Sequence, residues 1–359
     1  MQPPERPAPS DQAAQSTAAG APPLLFEVYG YRFAVTSSCT WALEGIAQDF
    51  AYFHSATPGD AVRIEIEEGD PDYSTVPLCD ASVYTPRNVV YRSGSRRYID
   101  YGGRGLGVHD TATGGFRITS RDRNLLYEAV YLFLLSQIGQ YLDGRGLHRL
   151  HALAVSLQGR AILVLLPMGG GKSTLCSALL GWPEIRLLSD DSPLIDRQGH
   201  SLAFPLHLGL LPGQEGKIPA RYRRRVERME FGPKVLVSFD YYRDQVEEKA
   251  APGLVLLGRR TLASEARIER AGFTTALRAM VGNCIIGVGL FQGLEFILQS
   301  SHWELISKAG VGFSRLRNSV KLLRRSETYI LHLGRDTRAN AAAIIELARE
   351  RFGNSRESR

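Results

Sequence analysis

The 359-residue sequence has room for two or three domains, and its 44% hydrophobic and 22% charged residues exclude a wholly disordered, collagen-like or fibrous chain. A net charge of +6 is too small to indicate nucleic-acid binding, and four widely spaced cysteines without a metal-binding pattern favour a reduced, cytoplasmic protein. No apolar run reaches the length of a membrane span and no secretory signal is recognisable, so we expect neither a membrane protein nor a secreted one.

The first third of the chain is predicted to form a small α+β domain. Residues 1–22, rich in Pro, Ala, Ser and Gln, are predicted to be a disordered tail. Residues 39–55 carry apolar side chains at helical spacing. Short strand-like runs, most of them alternating between apolar and polar residues, predict strands at residues 24–29, 31–36, 61–66, 88–91 and 97–101. We therefore expect an α+β domain over residues 23–120, without a motif that points to chemistry.

The rest of the chain has the rhythm of α/β units on a buried sheet. Apolar runs predict strands at residues 151–157, 161–166, 185–188, 235–239, 254–257 and 329–333. Helices are predicted at residues 124–142, 172–180, 340–351 and over most of 261–322. The expected second domain spans residues 121–352, with a helical insertion at about 261–325, and a disordered tail at 353–359.

A glycine-rich loop joins the strand at 161–166 to the helix at 172–180. It reads Leu166-Pro167-Met168-Gly169-Gly170-Gly171-Lys172-Ser173-Thr174. Consecutive glycines let backbone N–H groups surround phosphate oxygens, and the helix N-terminus adds its positive dipole end. Residues 168–174 are thus a candidate nucleotide-binding loop, with Lys172 on the β- and γ-phosphates and Ser173 on Mg²⁺. Leu166 departs from the usual motif, which has Gly at this position.

Two aspartates follow the next apolar run. The segment Leu187-Leu188-Ser189-Asp190-Asp191 places acidic residues at the end of a strand shortly after the loop helix, the arrangement in which a carboxylate reaches Mg²⁺. Because strand side chains alternate, the second carboxylate is expected to point elsewhere. The alternative is a loop or helix cap that carries two aspartates.

These motifs and a histidine at the start of a strand resemble the catalytic domain of the HPr kinase/phosphorylase family. That family has a His-Gly pair before its phosphate-loop strand, an Ala-Asp-Asp-type motif after its loop helix, and a closing helix with Ile-Ile-Glu. The corresponding residues here are His151-Ala152, Ser189-Asp190-Asp191 and the segment 338–346. Compared with the Gly-Arg-Asn segment that leads into the family's closing helix, Arg338 is displaced by one position. Residues 146–152 look especially like divergent members that act on ribosomally made peptides, notably lasso peptides.

The resemblance implies a P-loop kinase domain of the HPr kinase type, related to phosphoenolpyruvate carboxykinase, behind the α+β domain. It implies that ATP (or GTP) and Mg²⁺ serve transfer of the γ-phosphoryl group to a serine of a peptide or small protein. Asp191 is then the catalytic base, and Asp190 with Ser173 holds the metal. His151 orients Asp191 or a phosphate oxygen, and Arg338 reaches the nucleotide if the closing segment folds over it. The family is commonly oligomeric, so a homo-oligomer is a further expectation.

Other interpretations stay open at this stage. The family's Glu-x-Arg-Gly signature is missing from residues 204–210, which weakens the alternative of an HPr(Ser) kinase of carbon regulation. A small-molecule kinase and a P-loop ATPase or nucleotide-binding regulator are the remaining alternatives. His207 and either Arg259 or Arg260 are weaker site candidates. The densest basic run is interpreted as a solvated helix face, or alternatively as an electrostatic anchor for an acidic or phosphorylated acceptor, at Arg221, Arg223, Arg224, Arg225 and Arg228.

Overall fold

The computed structural model describes residues 22–57, 59–216, 218–228, 232–285 and 302–353, which form a mixed α/β protein with three sheets. The predicted tails at 1–22 and 353–359 lie outside these residues, except for residues 22 and 353 at their margins. Residues 286–301 of the predicted helical insertion also lie outside them. None of the helices in the described ranges is both long and apolar enough to cross a membrane.

The first sheet is eight-stranded, with the order β1-β2-β3-β8-β7-β6-β5-β4. Its strands are β1 (Leu24–Val28), β2 (Tyr31–Ser37), β3 (Val62–Glu68), β4 (Ala81–Tyr84), β5 (Val89–Ser93), β6 (Arg96–Asp100), β7 (Gly105–Asp110) and β8 (Phe116–Ser120). Only the β2–β3 and β3–β8 pairs are parallel. The predicted strands in this region are all present, whereas β4, β7 and β8 were not predicted.

Two helices cover one face of this sheet. They are α1 (Thr40–Asp49) and α2 (Arg123–Gly144), whose first turn is capped by the Asp122 carboxylate. Apolar residues of α2 such as Phe133 and Ile138 share one buried core with Phe26 and Phe33 of the sheet. The boundary expected near residue 120 therefore divides a continuous core, because α2 packs with the first sheet.

The strands after α2 build a second, nine-stranded sheet and a small three-stranded sheet. In chain order they are β9 (His148–Arg149), β10 (Leu153–Leu157), β11 (Arg160–Leu165), β12 (Ile185–Ser189), β13 (Leu194–Ile195), β14 (Ser201–Leu202), β15 (Leu208–Leu210), β16 (Arg223–Arg228), β17 (Gly232–Val237), β18 (Lys249–Arg260), β19 (Arg267–Arg270) and β20 (Glu327–Leu333). The helices are α3 (Lys172–Leu179), α4 (Phe273–Met280), α5 (His302–Arg324) and α6 (Thr337–Gly353).

The strand directions in the second sheet gather several chain segments at one edge. β10 is antiparallel to both β11 and β12, so β11 and β12 run in the same direction. β18 runs parallel to β11, and β20 runs parallel to β18. The carboxyl ends of β11, β12, β18 and β20 therefore lie at the same edge as the amino end of β10. Candidate site residues from distant parts of the sequence meet at this edge.

One prediction of helix is wrong, and another is correct except at its start. The basic run forms strand β16, in which exposed side chains alternate with partly or fully buried ones, because it pairs with β17 beside the core of α2. The region predicted as mostly helical after residue 261 begins with strand β19, which is held by antiparallel pairing with β20. Helix α4 starts only at Phe273.

Candidate active site

The glycine-rich loop follows β11 and leads into α3 with a backbone conformation that favours glycine. Gly169 and Gly171 have φ angles of 72° and 92°, a left-handed region that is costly for other residues. A Cβ on Gly170 would lie 2.9 Å from the carbonyl oxygen of Pro167. No side chain among the described residues caps the N-terminus of α3. The loop thus presents backbone and a helix N-terminus, as phosphate binding requires.

Leu166 replaces the first glycine of the usual motif because it has a packing role. Its side chain is 2% exposed and lies against Gly258 of β18, where a Cβ would overlap it. Leu166 therefore anchors the start of the loop on the neighbouring parallel strand. The departure from the motif leaves the curl of the three glycines intact.

Lys172 is the buried cation of the loop. Its Nζ atom donates to the carbonyl oxygen of Leu166 at 2.9 Å and lies 2.9 Å from Nε2 of His151 and 3.4 Å from Oδ1 of Asp191. Because an ammonium group can only donate, Nε2 of His151 accepts, and we assign the ring proton to Nδ1. That Nδ1 atom faces Asp191 Oδ1 at 3.3 Å, without the alignment of a hydrogen bond.

The two aspartates lie directly after the end of β12 at Ser189, and they differ in their neighbours. Asp190 accepts a hydrogen bond from the Ser173 hydroxyl at 3.2 Å, whereas Asp191 lies beside His151 and Lys172 and its side chain is 46% exposed. Burial and the charge of Asp191 raise the pKa of Asp190. Burial also raises the pKa of Asp191, but His151, Lys172 and Lys234 outweigh it and lower that pKa to about 2.

Ser173 and Asp190 fit a magnesium ion by their chemistry. Both offer hard oxygen ligands, and Mg²⁺ is commonly held by one or two carboxylates together with substrate phosphates. The described residues contain no group of three or more His, Cys, Asp and Glu side chains placed to hold a metal by themselves. Ser173 and Asp190 are therefore the residues that would hold the ion next to the loop.

The structure adds Lys234 of β17, which the sequence reasoning missed. Its side chain crosses Gly209 of β15, where a Cβ would overlap the Lys234 Cε and Nζ atoms. Its charge acts on Asp190 and on Asp191. The only sequence signal was a lysine directly before the apolar run 235–237, a pattern that is common at strand ends.

His207 belongs to a buried polar cluster next to the site rather than to the aspartate pair. Its Nδ1 atom lies 2.9 Å from Oδ1 of Asp49, and Arg224 Nη2 donates to the same oxygen at 3.1 Å. Tyr127 of α2 donates to the other oxygen of Asp49. This Asp49 cluster connects α1 and α2 with the small sheet that carries Lys234.

Two arginines lie near the loop in different ways. Arg260, at the end of β18, places Nη1 3.0 Å from the position of a Cβ on Gly171, so it approaches the loop directly. Arg338, at the start of α6, lines a cavity of about 500 Å³ with Thr174, Gln214 and others. Arg338 is thus beside the first turn of α3, whereas Arg259 is an exposed residue of β18.

The arginines of the basic run split between the two sides of β16. Arg224 is tied to Asp49 and stacks over Tyr127 with its guanidinium carbon 4.4 Å from the ring centre. Arg221, Arg223 and Arg225 are exposed, and Arg225 pairs with Glu227. Therefore only the exposed arginines of the run contribute to a basic surface.

A comparison of the sequence with protein-family models finds no match, and a comparison with curated proteins finds no significant one.

Proposed function

We propose that the chain is an ATP-dependent serine kinase with a catalytic domain of the HPr kinase type, and that its acceptor is a peptide or small protein with an exposed serine. The observation that carries this proposal is the placement of Asp191. Its half-exposed carboxylate lies 3.4 Å from the ammonium group of the loop lysine, while the neighbouring carboxylate is directed to Ser173. A carboxylate that is free to meet an acceptor beside a phosphate-binding lysine is what hydroxyl phosphorylation requires.

The residues divide the work of the transfer. Gly169–Gly171, Lys172 and the N-terminus of α3 would hold the phosphates of the nucleotide. When bound at Ser173 and Asp190, Mg²⁺ supplies charge neutralisation on the phosphate oxygens. A bond forms between the serine Oγ atom and the γ-phosphorus while the bond to the β–γ bridging oxygen breaks, and that oxygen keeps the electron pair.

Asp191 receives the proton of the acceptor hydroxyl. Since its pKa is lowered to about 2, its carboxylate stays ionised at neutral pH and accepts a hydrogen bond from the serine. Proton transfer then occurs as the new bond forms, when the hydroxyl has become acidic. His151 holds the carboxylate and the Lys172 ammonium group together, which makes it a positioning residue.

A flexible peptide is the preferred acceptor over folded HPr. The segment 204–210 lacks the Glu-x-Arg-Gly signature of the resembling family, and here it is largely buried, with His207 committed to Asp49. An extended serine-containing segment needs no large matching surface to reach Asp191, although its ordering costs binding free energy. The lasso-peptide type of acceptor follows from the resemblance of residues 146–152.

The test is incubation of the protein with γ-labelled ATP, Mg²⁺ and one of three additions: serine-containing peptides including lasso-peptide precursors, folded HPr, or no acceptor. We expect label on a peptide serine, the mass gain of one phosphoryl group on that residue, and neither with Asp191→Asn. Efficient labelling of HPr without peptide labelling would identify an HPr kinase instead. Phosphate release that is indifferent to every acceptor would identify a P-loop ATPase.

A further inference from the structure

Lys234 is a cation without a partner at the candidate active site. Within the described ranges its ammonium group makes neither a hydrogen bond nor an ion pair. It crosses β15 at Gly209, and the flanking Leu208 and Leu210 pack in the same core as Leu175 of the loop helix α3. The charges of Asp190, Asp191, Lys172 and Arg228 act on it there. An unpaired, partly buried ammonium group at a reaction site is a candidate for binding an anion.

The small sheet is built to direct this side chain. Lys234 lies on β17 opposite Val226 of β16, and it reaches over β15 at Gly209. A residue with a Cβ at position 209 would occupy the space of the Lys234 head group. Leu236, two residues further along β17, is buried in the core that α2 shares with the first sheet. Packing of Leu236 thus fixes the β16–β17 hairpin, and the absence of a side chain at Gly209 leaves room for the Lys234 side chain.

The electrostatics favour an anion beside Lys234. Burial lowers the pKa of Lys234, and the positive charges of Arg228 and Lys172 act in the same direction, whereas Asp190 and Asp191 oppose them. Both carboxylates have nearer partners in Ser173, His151 and Lys172. An anion placed among Lys234, Lys172 and Ser173 would stabilise the charged lysine without breaking those contacts.

We propose that Lys234 is a catalytic residue that binds the transferring phosphoryl group together with Lys172 of the glycine-rich loop. This inference rests on the proposed kinase function. The ammonium group donates to a non-bridging oxygen of the phosphoryl group while the group passes from the nucleotide to the serine oxygen. Negative charge on those oxygens is thereby neutralised by two cations, Lys172 of the loop and Lys234 of the small sheet.

The test compares affinity for MgADP with affinity for MgADP plus aluminium fluoride, which mimics the transferring phosphoryl group, using a fluorescent ADP derivative. Two variants report on the lysine: Lys234→Met removes the charge, and Gly209→Ala keeps the charge but displaces it. Lys249→Met is the matched control, because Lys249 is an exposed lysine paired with Asp196 away from the loop. Thermal melts establish whether each variant is folded. If Lys234→Met does not fold, the comparison is made with Gly209→Ala.

We expect aluminium fluoride to tighten binding to the wild type and to Lys249→Met, and both test variants to lose about tenfold or more of that tightening. Their affinity for MgADP alone should change by less than about threefold, since the effect arises in the transition state. In the transfer assay kcat should fall by about 10²-fold with little change in KM for ATP. Wild-type tightening in both variants would overturn the role of Lys234 and leave the kinase standing. A wild type that does not bind MgADP would instead overturn the kinase proposal and this inference with it.

Discussion

The two large sheets each bury a histidine, and the neighbours of the two rings differ. His109 of β7 is 3% exposed, packs 5.0 Å from the Phe133 ring, and has an Nδ1 atom without a hydrogen-bond partner in the described part of the chain. Burial and the charge of Arg97 lower the pKa of His109 to about 4. His151 is 4% exposed, yet it contacts Lys172 and faces Asp191. Burial alone therefore does not distinguish a core histidine from a site histidine.

The difference follows from where each histidine lies relative to its sheet. His109 lies within an antiparallel strand whose covered face looks toward the apolar side chains of α2. His151 lies two residues before β10, at the edge where β11, β12 and β18 end. Chain segments that enter and leave a sheet at one edge bring polar residues together, whereas positions inside a covered sheet meet apolar neighbours. The candidate site residues of this molecule accordingly lie together at one edge of the second sheet.

The largest effect is expected from the aspartates at that edge. Asp191→Asn keeps the size of the side chain but removes the proton acceptor, so kcat should fall by up to about 10⁴-fold while nucleotide and Mg²⁺ still bind. Asp190→Asn should instead raise the Mg²⁺ concentration needed for half-maximal activity. Asp110→Asn in the first sheet is the matched control and should leave both quantities unchanged. Steady-state kinetics over a Mg²⁺ series measures them, and equal loss of metal affinity in both site variants would contradict the division of roles.

The next effect is expected from Lys172, whose buried ammonium group belongs to the first residue of α3. Lys172→Ala removes the cation that the loop supplies to the phosphates, and kcat/KM for ATP should fall by about 10³-fold. The far-ultraviolet circular dichroism spectrum should not change, because the loop conformation depends on its glycines. Lys321→Ala, which removes an exposed lysine of α5, is the control. A fully active Lys172→Ala protein would show that the loop does not bind the phosphates.

The contact that joins helices α1 and α2 to the small sheet can be weakened at Asp49. Asp49→Asn removes a buried charge that holds Arg224 and His207, so the free energy of unfolding should fall by about 3–5 kcal/mol. Chemical denaturation measures this change. A double-mutant cycle with Arg224→Met should show strong coupling, whereas the exposed pair Arg225–Glu227 should show less than about 1 kcal/mol. A loss below about 1 kcal/mol for Asp49→Asn would contradict a supporting role for the cluster.

The same cluster predicts a pH dependence. Burial raises the pKa of Asp49, but the charges of His207 and Arg224 outweigh it and hold that pKa below its usual value. A carboxyl group with a lower pKa in the folded state stabilises the protein above its unfolded pKa of about 3.9 and loses this contribution as the pH falls through the folded pKa. The stability difference between wild type and Asp49→Asn should therefore shrink when denaturation is repeated below about pH 4.

The sequence predicts a glycine-rich loop before a helix and an aspartate pair at the end of a strand, because each is a local pattern. Asp190 and Asp191 do have different partners, but both follow the end of β12, so the alternation of strand side chains is not the reason. Lys234 could not be predicted, because its significance depends on Gly209 lying across the hairpin, a contact between strands far apart in the sequence. Strand β19 was missed for the same reason, since its pairing with β20 supplies what its short sequence lacks. The helix prediction for the basic run failed because local charge density does not report on strand pairing.

The smallest effect is expected at His109 and follows from its low pKa. In the unfolded chain a histidine has a pKa of about 6.5, whereas in the folded protein the pKa of His109 is about 4. Between these values the unfolded state binds a proton that the folded state does not, so wild-type stability should fall as the pH decreases from about 6.5 to about 4. His109→Leu removes this loss and should make stability less sensitive to acid. Denaturation at pH values above and within this window compares the two proteins.

His151→Leu is the partner variant that tests whether the two histidines differ in kind. His109→Leu should leave phosphoryl transfer unchanged, because its neighbours are aromatic rings and Arg97. His151→Leu should slow transfer by about tenfold or more, since Asp191 and Lys172 both lose their contact with the imidazole ring. The acid limb of its pH–rate profile should also shift, because His151 helps to lower the pKa of Asp191. If transfer responds equally to both variants, the neighbours of a buried histidine do not decide its role here, and the contrast between the two sheets is wrong.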